Sequence, residues 1–213
     1  MSAVNSLREL LVEELRDIYD AEKRLTKALP KISKASSHDE LKSAIDAHLE
    51  ETREHVIRLE QAFEALDAPA RAKTCAGMKG LVEEGDEHAG EDYADEGLRD
   101  AAIIGSAQRV EHYEIAAYGT AIAHAKLLEL DDVVALLEST LEEEKAADSK
   151  LTEIAESVVN LDASAADDGD ELDETEAGDE AGGEAARRPA MRMSITGGKS
   201  NGRSKSGAKA RAR

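Results

Sequence analysis

The sequence predicts an all-α protein in which four long amphipathic helices pack into one bundle. Apolar residues recur at alternating three- and four-residue steps in four separate stretches, and this spacing places them on one face of a helix. Aromatic residues make up 2% of the chain and prolines number three, a composition that favours helices over sheets. We expect residues 1–161 to form the bundle and residues 162–213 to form a disordered tail.

The first two predicted helices are joined by a short connection. The first spans residues 5–29 and ends or kinks at Pro30, because proline lacks the N–H that a helix interior requires. The second spans residues 38–66, and Ser37 with Glu40 has the spacing of a capping box at its start. The short connection makes the two helices neighbours in the bundle.

The third and fourth predicted helices follow a long connection, residues 67–92. Within it, the apolar piece at residues 78–82 is expected to form one or two helical turns. A connection of this length can carry the chain from one end of the bundle to the other, which makes the second and third helices parallel. The third helix is expected at residues 96–128 and the fourth at residues 132–159, with a short antiparallel turn between them.

The tail consists of two segments of opposite charge. Residues 162–184 carry eleven acidic residues and no basic one, and residues 187–213 carry nine basic residues and no acidic one. Both segments have too few apolar residues to offset the entropy of ordering, so we expect them to be disordered. The basic segment is expected to contact nucleic acid only weakly, because the acidic segment competes for its cations.

Charge and cysteine content exclude several classes of protein. The net charge of −20 argues against nucleic-acid binding by the bundle, since phosphates would be repelled. The sequence has no apolar run that approaches the ~20 residues of a membrane span, and its N-terminus lacks the layout of a signal peptide. The single cysteine, Cys75, excludes an internal disulfide framework and a cysteine-rich metal site. We therefore expect a cytoplasmic protein with no membrane partner.

Every predicted helix carries acidic residues near its middle, on or beside the stripe that should face the core. A carboxylate that faces a core is costly unless it is paired or bound to a cation. Carboxylates with a few imidazoles are the ligands by which helical bundles hold two metal ions. We therefore predict a dinuclear metal site. Its candidate ligands are Glu22, Glu51, His55, Glu111, Glu114, Glu144 and Asp148.

The candidates on the first two helices also have explanations that need no metal. Glu22 would be a snorkelling or ion-paired residue, or would accept a hydrogen bond from Tyr19 one turn earlier. Glu51 and His55 flank the apolar stripe, in the same column as His48. A solvated helix edge explains this column nearly as well as a ligand role does.

The third and fourth helices make the stronger case for a cation. Glu114 could belong to a surface row with Tyr118, but Glu144 and Asp148 occupy two successive inward positions. Like charges one turn apart on an inward face repel each other, so a bound cation explains them better than an empty core does. The recurrence of the pattern in all four helices favours a metal site over four separate accidents.

Four segments of the sequence carry a resemblance to a known family. They are Glu-Leu-Arg-Asp-Ile-Tyr-Asp-Ala-Glu (14–22), His-Leu-Glu-Glu-Thr-Arg-Glu-His (48–55), Glu-His-Tyr-Glu-Ile-Ala-Ala-Tyr (111–118) and Leu-Glu-Glu-Glu-Lys-Ala-Ala-Asp (141–148). These segments resemble the YciE/YciF-like family of ferritin-like proteins. The Glu-His-Tyr-Glu motif is also similar to the third helix of rubrerythrins. The resemblance, over about residues 5–160, implies a ferritin-like four-helix bundle, a homodimer, a dinuclear iron or manganese centre and stress-associated expression.

The chain departs from the broader ferritin pattern in its second and fourth helices. Glu51 and His55 are four residues apart, where ferritins use a Glu-x-x-His step, and Thr52 stands in place of that glutamate. Asp148 stands where a rubrerythrin has histidine. The predicted site is therefore richer in oxygen ligands than the corresponding sites of ferritins and rubrerythrins.

Two functions of different classes fit the sequence. The first is a metal-dependent oxidase or peroxide scavenger, in which two metal ions react with O2 or peroxide. Iron is favoured over manganese as the metal, and the electron donor is unknown. The second is a helical scaffold or binding module that keeps a vestigial metal site and recruits a partner through its tail. The metal content of the purified protein separates the two.

Overall fold

The computed structural model describes residues 4–165, and every regular element within this range is helical. The helices α1 to α5 span, in order, Leu7–Ala35, Asp39–Ala65, Ala76–Gly90, Glu96–Leu127 and Asp131–Ile154, and a π-helical turn follows at Ala155–Val159. The prediction of an all-α fold is confirmed. Helical residues continue to Ala165, which lies past the predicted end of the bundle at residue 161.

The helix α1 continues beyond its predicted end, through Pro30, to Ala35. Leu29, Ile32 and Ala35 pack against an apolar cluster of the bundle, and this burial stabilises the last turns although proline donates no hydrogen bond. The C-cap residue is Ser36, whose backbone N–H donates to the carbonyl oxygen of Ile32 at 3.0 Å. Pro30 therefore does not end the helix.

The start of α2 is capped by a carboxylate from α4. Asp100 accepts hydrogen bonds from the backbone N–H of Ser37, at 2.9 and 3.0 Å, and from that of His38, at 2.7 Å. The negative charge also lies at the positive end of the helix dipole. The predicted capping box of Ser37 and Glu40 does not form, since the N-cap residue is His38 and its side chain makes no capping bond.

The connection between α2 and α4 contains a full helix, α3, of 15 residues, where the sequence predicted one or two turns. Its N-cap is Cys75, whose sulfur accepts from the backbone N–H of Met78 at 3.3 Å. The helix packs against α1 and α4, and a Cβ at Gly77 would lie only 2.7 Å from the ring of Tyr113. Tertiary packing thus stabilises a glycine-rich helix that intrinsic propensity disfavours. The end-to-end path of the whole connection stays a prediction.

Two apolar clusters bracket the middle of the four long helices. One includes Leu11, Phe63 and Leu137, and the other includes Leu41 and Ile154. Along each of these helices, the acidic positions lie between the residues that enter the first cluster and those that enter the second. The apolar packing on both sides therefore fixes the helices around the acidic residues.

The tail segments predicted at residues 162–184 and 187–213 lie outside the described residues, except for residues 162–165. Their predicted disorder and weak nucleic-acid binding stay predictions. Among the helices of the described range, none is long and apolar enough to cross a membrane.

Candidate metal centre

Six chemically active side chains form a buried layer in the middle of the bundle. They come from α1, α2, α4 and α5, because each helix turns its acidic interruption inward between the two apolar clusters. Each is at most 7% exposed. The six residues are Glu22, His48, His55, Glu111, Glu114 and Glu144.

The layer contains two overlapping groups of potential ligands. In the first, ligand atoms of His48, Glu111, Glu114 and Glu144 lie within 4.8 Å of one another, and in the second the same holds for Glu22, His55 and Glu144. Glu144 belongs to both groups, and its two oxygens approach different histidines. The distance from Oε2 to His48 Nε2 is 3.8 Å, and that from Oε1 to His55 Nδ1 is 3.1 Å. A carboxylate in this position is suited to bridge two ions.

The carboxylates of the layer are short of hydrogen-bond partners. Within residues 4–165, six of their buried oxygens have none: one each on Glu22 and Glu111, and both on Glu114 and Glu144. Each orphaned buried polar atom costs about 1–3 kcal/mol. Four carboxylates carry the charge that two divalent cations would neutralise. The residues present therefore fit a pair of divalent metal ions.

The pKa values of the carboxyl groups in the layer reflect their burial without enough hydrogen bonds or positive charges. Burial raises the pKa of Glu111 and Glu114 well above the ordinary value, and the neighbouring carboxylates raise it further. Burial also raises the pKa of Glu22, although hydrogen bonding and attraction to His55 oppose it. Without a cation, the layer favours protons on several of its carboxyl groups, and metal binding would displace them.

His55 is the positive group that partly balances the layer. Burial lowers its pKa, but Glu144 and Glu22 outweigh this effect and raise the pKa to about 10. The same pairing lowers the pKa of Glu144 against the opposing effect of burial. The Nε2 of His55 donates to Glu143 at 2.9 Å, and Arg58 pairs with Glu143 in turn. Nδ1 of His55 therefore faces the inner carboxylates.

The hydrogen-bond partner of Glu22 differs from the predicted one. Tyr19 donates instead to Glu60, at 2.6 Å, and the hydroxyl of Tyr118 on α4 donates to Glu22. Both Tyr118 and Glu114 are buried, so the alternative of a surface row is wrong. A partner from the facing helix α4 replaces the local one, and the Tyr19 hydroxyl is bonded to Glu60 on α2 instead.

The structure brings together five of the seven predicted ligands, and Glu51 and Asp148 lie at the margin of the layer. The Glu51 side chain is 46% exposed and lies 3.4 Å from His48 Nδ1. Asp148 accepts a hydrogen bond from Gln108 at 3.2 Å, and its Oδ1 lies 3.4 Å from His112 Nε2. His48 occupies the inner position that the sequence assigned to Glu51. Its spacing of two turns from His55 was a signal for that position.

Comparison with known proteins places this chain in a family. Residues 6–164 match the family described as Domain of unknown function (DUF892). Protein YciF of Escherichia coli is 42% identical over 158 residues, which are 74% of this chain and 95% of that protein.

Solved structures share the fold. The crystal structure of the E. coli stress protein YciF has a TM-score of 0.70 at 43% identity and covers 73% of this chain and 98% of its own. YcfI from Rhodopseudomonas palustris has a TM-score of 0.68 at 46% identity, with coverage of 70% and 94%. A protein from Xanthomonas campestris shares the fold at 23% identity, with a TM-score of 0.60 and coverage of 76% and 99%.

Proposed function

The chain belongs to the family described as Domain of unknown function (DUF892), and we propose that its bundle is a dinuclear metal protein that binds two ions, iron in preference to manganese. The observation that carries the proposal is the position of Glu144 in both groups of buried ligands. A single carboxylate shared by two groups, with neither oxygen hydrogen-bonded within residues 4–165, is suited to a position between two adjacent ions. The similarity to YciF, which is described as a stress protein of E. coli, supports a role in the response to stress.

Each ion would have its own histidine. His48, Glu111 and Glu114 would hold one ion, and Glu22 and His55 would hold the other, with Glu144 between them. The two remaining candidates from the sequence, Glu51 and Asp148, adjoin this set, and we retain them as proposed ligands that contact a metal after rotation of their side chains.

The residues of the layer suit redox chemistry with O2 or peroxide. A pair of ferrous ions supplies two electrons when bound. Carboxylates without fixed hydrogen-bond partners can change how they contact a metal ion as the charge of the layer changes. The apolar clusters on either side exclude water from the group formed by Glu22, His55 and Glu144. Tyr118 orients Glu22, and Glu143 orients His55. We therefore propose that the protein oxidises Fe(II) or removes peroxide.

Metal content tests the proposal. Full-length protein is stripped with a chelator, dialysed anaerobically against Fe(II) or Mn(II), and analysed for bound metal. The wild type should hold two ions, and Glu144→Gln fewer than one, because the substitution removes the ligand that both groups share. Glu142→Gln is the matched control, since Glu142 is exposed and lies on the same helix. Unchanged stoichiometry in Glu144→Gln contradicts the site.

The alternative function is tested by the same measurement. A wild-type bundle that retains neither iron nor manganese after anaerobic loading leaves the scaffold or binding module as the function. The expectation of a cytoplasmic homodimer stays a prediction, and light scattering on the purified protein measures the oligomeric state.

A further inference from the structure

A large cavity adjoins one side of the candidate metal centre. Its volume is about 640 Å³, and residues of α1, α2, α4 and α5 line it. His48 and Glu111 line the cavity and belong to the first ligand group. Both are more than nine-tenths buried, and each has a buried polar atom without a hydrogen-bond partner in the described part of the chain. The cavity therefore leads from solvent to the first group.

The second ligand group has no comparable access. Glu22, His55 and Glu144 have no solvent-exposed surface, and none of them lines this cavity. A molecule that enters from solvent through the cavity would reach the side of the centre formed by His48 and Glu111. The two metal positions are therefore unequal in their exposure to a substrate.

The walls of the cavity are formed mainly by aliphatic side chains. They include Leu29, Ala44, Ile45, Ala107 and Leu151. A peroxide molecule needs no more than about twice the ~30 Å³ that one water occupies in the liquid. Cavities of about 300–1,000 Å³ are the size that organic ligands occupy. Volume and lining both favour a molecule with an apolar body.

The rim of the cavity is acidic. Asp39, Glu40 and Glu51 are exposed there, and the basic rim residue Lys150 pairs with Glu153 at 3.0 Å. Carboxylates at the rim, added to a chain of net charge −20, repel an anionic ligand. A neutral apolar molecule incurs no such repulsion, so fatty-acid anions are disfavoured.

We propose that this cavity binds the apolar part of a neutral organic hydroperoxide and directs its O–O group towards His48 and Glu111. The inference rests on the proposed function for its chemistry. Reduction would break the O–O bond with two electrons from two bound ferrous ions and two protons from two water molecules. It would give the alcohol, one water molecule, two hydroxide ions and two ferric ions. The alcohol product has the same apolar body and no O–O group, which makes it an inert probe of the cavity.

Binding to the metal-free, full-length protein provides the first test. Cumyl alcohol, the product of cumene hydroperoxide, is titrated and followed by calorimetry or ligand-observed NMR. Ala146→Phe and Ala147→Phe, which place a ring in the cavity, should each weaken binding at least tenfold. The control is Ala116→Phe, because Ala116 is as exposed as Ala146 but lines a different groove, between α1 and α4. The anion 4-isopropylbenzoate should bind at least tenfold more weakly than cumyl alcohol.

Reactivity provides the second test. In protein loaded with Fe(II), Ala147→Phe should slow oxidation by cumene hydroperoxide at least tenfold and oxidation by hydrogen peroxide less than twofold. Absence of cumyl alcohol binding, equal binding by the cavity variants and the control, or preference for the anion would overturn the inference. So would equal slowing of both peroxides, or cavity variants that lose a dimer seen in the wild type. Failure to bind metal would refute the proposed function, while the titration with cumyl alcohol would still decide whether the cavity binds a neutral apolar molecule.

Discussion

Substitution of Glu114 distinguishes a functional role of the buried layer from a structural one. Glu114 is 1% exposed, and neither of its oxygens has a hydrogen-bond partner within the described range. Burial and neighbouring carboxylates raise its pKa well above the ordinary value. The residue thus destabilises the metal-free fold, and Glu114→Leu should stabilise it.

The expected magnitude follows from the two orphaned oxygens. Relief of buried, unsatisfied polar atoms contributes about 1–3 kcal/mol to the free energy of unfolding. For a protein of this size, that corresponds to a rise of about 2–12 °C in Tm. The opposite effect is expected for metal. At free metal one hundred times Kd, a site adds about 2.7 kcal/mol, and a tenfold loss of affinity reduces this increment to about 1.4 kcal/mol.

The assay is thermal unfolding followed by helical circular dichroism, in chelator and in Mn(II), which avoids oxidation during the scan. Glu114→Leu should have a higher Tm than the wild type in chelator and a smaller increase in Tm on addition of Mn(II). Glu142→Leu is the control for the loss of an exposed glutamate, and it should leave the metal-dependent increase unchanged. A Glu114→Leu protein that is less stable in chelator, yet keeps the full increase with metal, would refute the reasoning.

Four further predictions concern a ligand histidine, two glycines of α3 and the tail. Glu143→Gln should weaken Mn(II) binding about 10–100-fold, as measured by titration, because the carboxylate that orients a ligand histidine is lost. Gly77→Ala should destabilise the protein by about 1–3 kcal/mol in urea, since its Cβ would meet a tyrosine ring at 2.7 Å. Gly80→Ala should stabilise it by about 0.5–1 kcal/mol, because an added Cβ would have no tertiary neighbour within 4 Å among residues 4–165. A peptide of residues 187–213 should bind labelled duplex DNA in anisotropy measurements at 50 mM salt and lose it by 200 mM, whereas the full chain should bind weakly or not at all.

The long helices could be predicted because their signal is local. The third was expected at residues 96–128 and is found at Glu96–Leu127, and the fourth was expected from residue 132 and begins at Asp131. An apolar stripe with a period near 3.6 residues identifies a helix whatever it packs against. The glycine-rich helix at Ala76–Gly90 has only a short apolar stripe, formed by Met78, Leu81 and Val82, and its length depends on neighbours that are distant in sequence.

The candidate site was predictable to the level of the helix face. Glu22, Glu111 and Glu144 lie on inward stripes, and the structure buries all three. On α2 the face was ambiguous, because His48 and Glu51 differ by about 60° around the helix axis. The contact with Glu111 and Glu144 makes His48 an inner residue, while Glu51 lies at the rim of the cavity.

The sequence by itself thus determined the helical fold, the four acidic interruptions and, except on α2, the face on which they lie, since these depend on spacing within one helix. Only the tertiary structure decided which side chains share one layer, that Tyr118 rather than Tyr19 contacts Glu22, and that Asp100 caps α2. The contact of Tyr118 with Glu22 joins residues 96 positions apart, and that of Asp100 with His38 joins residues 62 positions apart. Their formation depends on the relative height and rotation of packed helices, which are set by the apolar clusters on either side and are not encoded in any single stretch of chain.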